Sequence, residues 1–329
     1  MKHRLFLLAI CAVCTIHSAV AATLPKNQVA ADAKWLLHLD LQNLRRTQVG
    51  EFLTKNLLEK ASGELKDKIG IDVGALVQKI SHVTAYGTEF AKNPEKNGVL
   101  MVQMDAEAQK ILEGVLAAQL LADSKGAVTK EQQGASALYS VHNEIFLSLE
   151  PNHLAILGKS AHQIDKAKSV LAGKSPSLKN SDAFSDFPPA PDAFFFLAVA
   201  EGFNDAAAVP PQAQVLKMAE GGQLVIGEQT EKLFLSLALK SKTAEVTEQI
   251  QQVFEGIRAM VSLGQAENKD LQELVKSIKV AAKNKIVTVN AEFPVAPLLK
   301  KVADKGYLKA QGQDEKKKAK DDAEKKAEK

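Results

Sequence analysis

Two stretches of this chain resemble each other, and this internal similarity constrains the fold more than any other feature of the sequence. DAKWLLHLD at Asp32–Asp40 aligns with DAFFFLAVA at Asp192–Ala200, with apolar residues at the same alternating positions. Weaker matches follow in the same order: ILEGV at 111–115 with VFEGI at 253–257, and Asn143 and Ile145 with Asn284 and Ile286. Self-similarity in a shared order indicates duplication. The sequence therefore predicts two related halves.

Composition marks a boundary between the halves. The segment SPSLKNSDAFSDFPPAPD at 175–192 contains four prolines and several serines, with little apolar periodicity, which is typical of a connector. At about 100–200 residues per domain, 329 residues allow two domains. We predict a first lobe at 22–174 and a second at 193–308, followed at 309–329 by a charged tail that is disordered because it has nothing to bury.

Strand and helix periodicities alternate within each lobe and predict an α+β fold. In the first lobe the order is βαββαβ followed by a hairpin and a helix. Asp105 is placed to cap a helix that runs to Leu121, and Ser160 with Gln163 forms a capping box before another. This order favours two similar lobes, each an antiparallel sheet with helices on one face, similar to the ferredoxin-like arrangement.

The chain begins with the pattern of a cleavable export signal at 1–21. A basic start is followed by the apolar run LFLLAICAVCTI, which is too short to cross a bilayer, and small residues favour cleavage after Ala21. Both cysteines, Cys11 and Cys14, lie within this signal, so the mature chain can form no disulfide. We expect a periplasmic or secreted protein with no transmembrane segment.

The charge balance argues against nucleic acid as a partner. The chain has 42 Lys+Arg against 39 Asp+Glu, and loss of Lys2 and Arg4 with the signal brings the mature protein closer to neutrality. Binding to phosphate backbones depends on a clear excess of basic residues. The tail mixes lysines with acidic residues, which leaves a weak contact with anionic surfaces open.

The sequence contains none of the usual catalytic or cofactor motifs. It has no G-x-S-x-G elbow, no phosphate-binding glycine loop with its GK pair, and no two histidines of the mature chain at the spacing of a zinc site. We therefore predict no catalytic residue, no metal and no cofactor, and expect that the protein is not an enzyme.

Four residues are candidates for contact with a ligand. His38 and Asp40 are two apart on a predicted strand and therefore share a face, as do His82 and Tyr86 on a later strand. A metal or acid–base pair at His38 and Asp40 is one interpretation, and a solvent-facing histidine beside a helix-capping aspartate is the other. The face with His82 and Tyr86 could orient a small ligand or simply face water.

The stretch ADAKWLLHLDLQNLRRTQVGEFL, at 31–53, resembles the opening of a family of exported bacterial proteins that has no assigned activity. The resemblance implies a Gram-negative envelope and carries over no functional residue. We predict a non-catalytic envelope protein that binds an unknown protein or small molecule. Two alternatives stay open. One is a carrier of an apolar small molecule or lipid, which a continuous interior pocket of about 300 Å³ or more would favour and a filled core would exclude. The other is a hydrolase whose site is assembled from distant residues.

Overall fold

The computed structural model describes residues 24–58, 73–90, 97–122, 128–202, 215, 217–264 and 269–304. The export signal predicted at 1–21 and the tail predicted at 309–329 lie outside these residues. Within the described residues, no helix combines the length and the apolar character needed to cross a membrane.

Strands in the described chain belong to one antiparallel sheet. They are β1 Trp35–Asp40, β2 Ile80–Gly87, β3 Gly98–Met104, β4 Val128–Gln133, β5 Ser136–Val141, β6 Ile145–Glu150, β7 Leu154–Gly158, β8 Phe194–Glu201, β9 Ala219–Gln229, β10 Lys232–Ser241, β11 Lys279–Lys283 and β12 Ile286–Pro294. Their order across the sheet is β11-β12-β10-β9-β8-β1-β2-β3-β7-β6-β5-β4.

Helices connect these strands and cover them. The α-helices are α1 Leu41–Arg45, α2 Gln48–Leu53, α3 Val73–Gln78, α4 Ala106–Ala122, α5 Ala161–Leu171, α6 Ala244–Gly264, α7 Lys269–Ser277 and α8 Val295–Asp304. A π-helical turn at Thr54–Leu58 follows α2, and a 3₁₀ turn at Leu178–Asn180 lies in the predicted connector.

The predicted helix caps are confirmed. Asp40 accepts a hydrogen bond at 2.9 Å from the backbone N–H of Asn43 at the start of α1. Asp105 accepts one at 2.8 Å from Ala108 in the first turn of α4. Ser160 and Gln163 form the predicted capping box of α5. These side chains satisfy backbone donors that a helix leaves without an internal partner.

The α+β class and the antiparallel sheet are confirmed, but the halves share one sheet. β1 pairs antiparallel with β8, so that His38 lies opposite Leu197. Glu228 on β9 also accepts hydrogen bonds from the backbone N–H groups of Gln48 and Val49 on α2. Pairing β1 with β8 satisfies strand edges that two separate lobes would leave open. The two-lobe, ferredoxin-like arrangement is therefore not confirmed.

Helices cover both faces of the sheet, so the prediction of helices on one face is wrong. The first face, which carries Leu36 and His38 on β1, packs against α5 and against the segments 24–33 and 175–190 in one core. The second face, which carries Trp35 and Leu37, has two separate cores. The reason is that β1, β3 and β8 have apolar residues on both faces, and each face must be covered.

The two cores of the second face lie on either side of its centre. One is formed under α4, where Leu116 meets Leu147 and Tyr139. The other is formed under α6, where Ile250 meets Leu239. Of the strands at the centre, β1 and β8 contribute to neither core in the described chain, and β2 contributes only Ile80 at its start. This arrangement leaves an apolar strip of the sheet between α4 and α6 only partly covered.

Candidate functional site

Within the described residues, the centre of the second face is an exposed apolar surface. The register places Leu37, Ala85, Leu100 and Leu157 side by side across β1, β2, β3 and β7. Leu37 is 44% exposed and Leu100 is 36% exposed. Aligned, exposed aliphatic side chains on adjacent strands are uncommon in the middle of a sheet, and such patches usually mark a binding surface.

This surface forms a cavity of about 620 Å³, which we call the central groove. Its walls and floor include the following residues: Trp35, Leu37, Ala85, Leu100, Ile145 and Leu157. Its volume lies within the range of small-molecule sites, about 300–1,000 Å³. The groove is open to solvent along one side, since Ile145 at its margin is 43% exposed. Its apolar floor is therefore accessible to an apolar molecule from solvent.

Two glycines fix one end of the groove. A Cβ on Gly87 would lie 2.6 Å from the indole of Trp35, and a Cβ on Gly98 would lie 2.8 Å from it. The indole therefore lies flat on two strands at positions where side chains would displace it. Its Nε1 donates a hydrogen bond to the backbone carbonyl of Glu89 at 3.1 Å. Trp35 is thus held as a rigid wall.

A single charge stands at the margin of this groove. Among the described residues that line it, Lys159 alone is charged, and its side chain is exposed. The backbone N–H of Lys159 donates a hydrogen bond to Gln163 at 2.8 Å, which ties the lysine to the first turn of α5. The groove therefore combines an apolar body with one cationic group, an arrangement that suits an apolar molecule with an anionic end.

A second exposed apolar surface lies on the C-terminal half of α6. Val253, Ile257, Met260 and Val261 recur at helical spacing, and Met260 is 73% exposed. They continue the stripe that begins with Ile250, which packs on the sheet. Leu121, at the end of α4, is 90% exposed. None of these side chains is among the residues lining the central groove.

The predicted candidates His38, Asp40 and His82 come together on the first face, in the core. His38 is 0% exposed, and its Nδ1 lies 2.8 Å from the hydroxyl oxygen of Thr84. The ring centroids of His38 and His82 are 5.4 Å apart, and the ring centroids of His38 and Phe194 are 6.0 Å apart. The interpretation of His38 as solvent-facing is wrong, because this face of β1 packs against the largest core.

Burial controls the chemistry of this histidine pair. It lowers the pKa of His38 to about 4, with a smaller contribution from the neighbouring His82, and it also lowers the pKa of His82. In the described structure, the Nε2 atoms of both histidines are buried without a hydrogen-bond partner. No group of three or more potential metal ligands occurs among the described residues. The two imidazoles are therefore neutral at pH 7 and are part of the core.

The face with His82, Thr84 and Tyr86 does not face water, so that interpretation is also wrong. Thr84 is fully buried and His82 is half-buried. Tyr86 lies at the far end of the strand and lines a different, polar cavity. Contact of any of these residues with a ligand stays a prediction. Sequence reasoning missed Leu37, Leu100 and Lys159, since it assigned the face of Trp35 and Leu37 to the core.

Comparisons with known proteins give little beyond this geometry. No family model matches the chain, and no curated protein matches it. A crystal structure of TP0453, form III, aligns with a TM-score of 0.46 and 12% identity, covering 85% of this chain and 98% of that one. Form IV aligns with a TM-score of 0.44 and 12% identity, covering 86% and 97%. These values are too low to support an inference about this chain.

Proposed function

We propose that this chain is an exported, non-catalytic binding protein of the cell envelope, and that its central groove holds the apolar part of a small amphiphile. The observation that carries this proposal is the cavity of about 620 Å³, lined by aliphatic side chains and Trp35 on an exposed sheet face. Binding of an apolar molecule to such a surface is favourable, because apolar area of both partners is removed from water.

The expected ligand has a single apolar chain and an anionic head group. Each buried methylene contributes about 0.8 kcal/mol, so eight to ten methylenes contribute roughly 6–8 kcal/mol before binding costs are subtracted. Loss of translational and rotational freedom offsets part of this gain. Lys159 at the margin attracts the head group, while its exposure keeps that contribution small. We therefore expect binding in the micromolar range or weaker, which suits a carrier that must release its ligand.

The proposed duplication is supported by the order of the elements. Moving outward from the central pair, β1-β2-β3 on one side corresponds to β8-β9-β10 on the other. α4 follows β3 and α6 follows β10, and both pack on the second face. α5 and α8 follow β7 and β12 in the same way. We infer that two copies of one unit joined their first strands and thereby placed the groove between α4 and α6.

Tryptophan fluorescence tests the proposal directly. Trp35 is the single tryptophan of the chain and lines the groove. cis-Parinaric acid, a fluorescent fatty acid, accepts excitation energy from tryptophan at short range. Titration of the mature protein with this probe should give saturable energy transfer that unlabelled fatty acid reverses by competition. A groove that does not bind apolar chains would give no transfer, or transfer that competitor cannot reverse.

A matched pair of variants places the binding site. Leu37→Gln puts an amide on the floor of the groove and should weaken probe binding about tenfold, because a buried amide without a partner is unfavourable there. Leu121→Gln changes an equally apolar but 90% exposed residue outside the groove and should bind as the wild type does. Equal weakening by both variants would assign the probe to another surface, and weakening by Leu121→Gln alone would contradict the proposal.

A further inference from the structure

A second cavity, of about 570 Å³, lies on the opposite face of the same strand ends, and we call it the polar cavity. It is bordered by the start of α5, by the end of β2 and the start of β3, and by two chain segments that run side by side, and it is open to solvent. The backbone N–H of Ala31 donates to the carbonyl of Pro176 at 3.1 Å and joins these two segments. The cavity is thus built from elements that are tied to one another.

Charges of opposite sign face each other across the polar cavity. Asp32 and Glu89 lie on the side of the sheet and the N-terminal segment, whereas Lys166 lies on α5, and all three side chains are exposed. Glu89 accepts a hydrogen bond at 2.8 Å from the side-chain amide of Asn97. Within the described chain, none of the ion pairs involves any of these three charged side chains. Lys166 and the two carboxylates therefore line the same space without neutralising one another.

A buried tyrosine supplies a hydroxyl group to the polar cavity. Tyr86 is 5% exposed and lines the cavity. Burial, together with the negative charge of Asp32, raises the pKa of Tyr86 above its ordinary value, so its phenol stays protonated. The phenol oxygen interacts with the backbone of Ala30. Because a phenol both donates and accepts, its O–H remains able to donate to a polar group of a bound molecule.

We propose that the polar cavity binds a small zwitterion, an amino acid or a short peptide, with its ammonium group toward Asp32 and Glu89 and its carboxylate toward Lys166. A purely anionic ligand would face the two carboxylates, and a purely cationic one would face Lys166. A ligand that carries both charges matches both walls. The volume of about 570 Å³ is sufficient for a molecule of this size.

Saturation-transfer NMR tests the proposal with defined probes. The mature protein is mixed with free alanine, glutamine and the dipeptide Ala-Ala, and separately with their N-acetylated, carboxyl-amidated forms. At least one free zwitterion should receive saturation and its blocked form should not. Asp32→Asn and Lys166→Gln should each weaken that binding about two- to fivefold, as expected for ion pairs with exposed side chains. Asp165→Asn, on the same helix but outside the polar cavity, should leave it unchanged.

Three results would overturn the assignment. They are the absence of saturation transfer to any zwitterion, equal transfer to free and blocked forms, and Asp32→Asn and Lys166→Gln variants that bind as the wild type does. Folding of each variant is checked by its thermal midpoint. The proposal does not depend on the central groove, because the two cavities lie on opposite faces of the sheet, and competition by cis-parinaric acid is expected to be absent.

Discussion

Acidification should destabilise this protein through His38. The pKa of this histidine falls from an ordinary 6.5 to about 4 in the folded state. At 1.36 kcal/mol per pKa unit, this shift corresponds to about 3 kcal/mol of unfolding free energy. As the pH falls, His38 takes up a proton in the unfolded chain before it does so in the folded one. Its contribution to the unfolding free energy is therefore fully present above about pH 6.5 and is lost as the pH approaches 4. About 3 kcal/mol is a large part of a typical total of about 5–15 kcal/mol.

Urea unfolding of the wild type and of His38→Gln between pH 7.5 and 4 measures this contribution. Other titrating groups are present in both proteins and cancel in the difference, apart from the smaller part of the His38 shift that comes from His82. The stability advantage of the wild type should shrink by about 3 kcal/mol between pH 7 and 4. Thr84→Val is a matched control, because it removes the hydrogen bond to His38 and keeps the histidine. The Thr84→Val protein should lose about 1 kcal/mol of unfolding free energy at neutral pH and keep the pH dependence of its stability. Parallel pH curves for the wild type and His38→Gln would refute the reasoning.

Four further predictions concern the groove, α4 and the export signal. Gly98→Ala should lower stability by about 1–3 kcal/mol and weaken probe binding, because its Cβ would displace Trp35. Gly114→Ala, at an exposed position of α4 with nothing within 4 Å of the added Cβ, should instead stabilise by about 0.5–1 kcal/mol in thermal unfolding. Lys159→Gln should weaken binding of cis-parinaric acid about two- to fivefold and leave binding of its methyl ester unchanged, whereas equal loss for both would exclude a charge contact. The mass of the exported protein should correspond to a chain that begins at Ala22, and an intact N-terminus would contradict the predicted signal.

Local features of this fold could be predicted from the sequence, whereas the orientation of the sheet could not. Asp40, Asp105 and Ser160 cap helices as expected, because a cap depends on residues within one turn. Alternation along β1 indicates correctly that His38 and Asp40 share a face. It does not indicate which face is buried, because apolar residues occupy both. That choice is made by α5 and by the segment 175–190, which are distant in the sequence.

The central groove is a second feature that could not be predicted from the sequence. Its floor is formed by β1, β2, β3 and β7, and the position of those strands beside one another depends on pairings between residues far apart. Trp35 fits its place because Gly87 and Gly98 lack side chains at matching positions of two other strands. The pairing of β1 with β8 joins the predicted lobes in one sheet. Each of these relationships exists only in the folded chain.

Native mass spectrometry of the protein isolated gently from its own envelope tests the central proposal most directly. We expect the mass of the mature chain together with a population that carries one small molecule, whose release under stronger activation identifies an anionic amphiphile with a single apolar chain. The Leu37→Gln protein isolated in parallel should carry less of it. A bare chain in every preparation, or an equal adduct on the wild type and Leu37→Gln, would contradict the assignment of the central groove as a binding site.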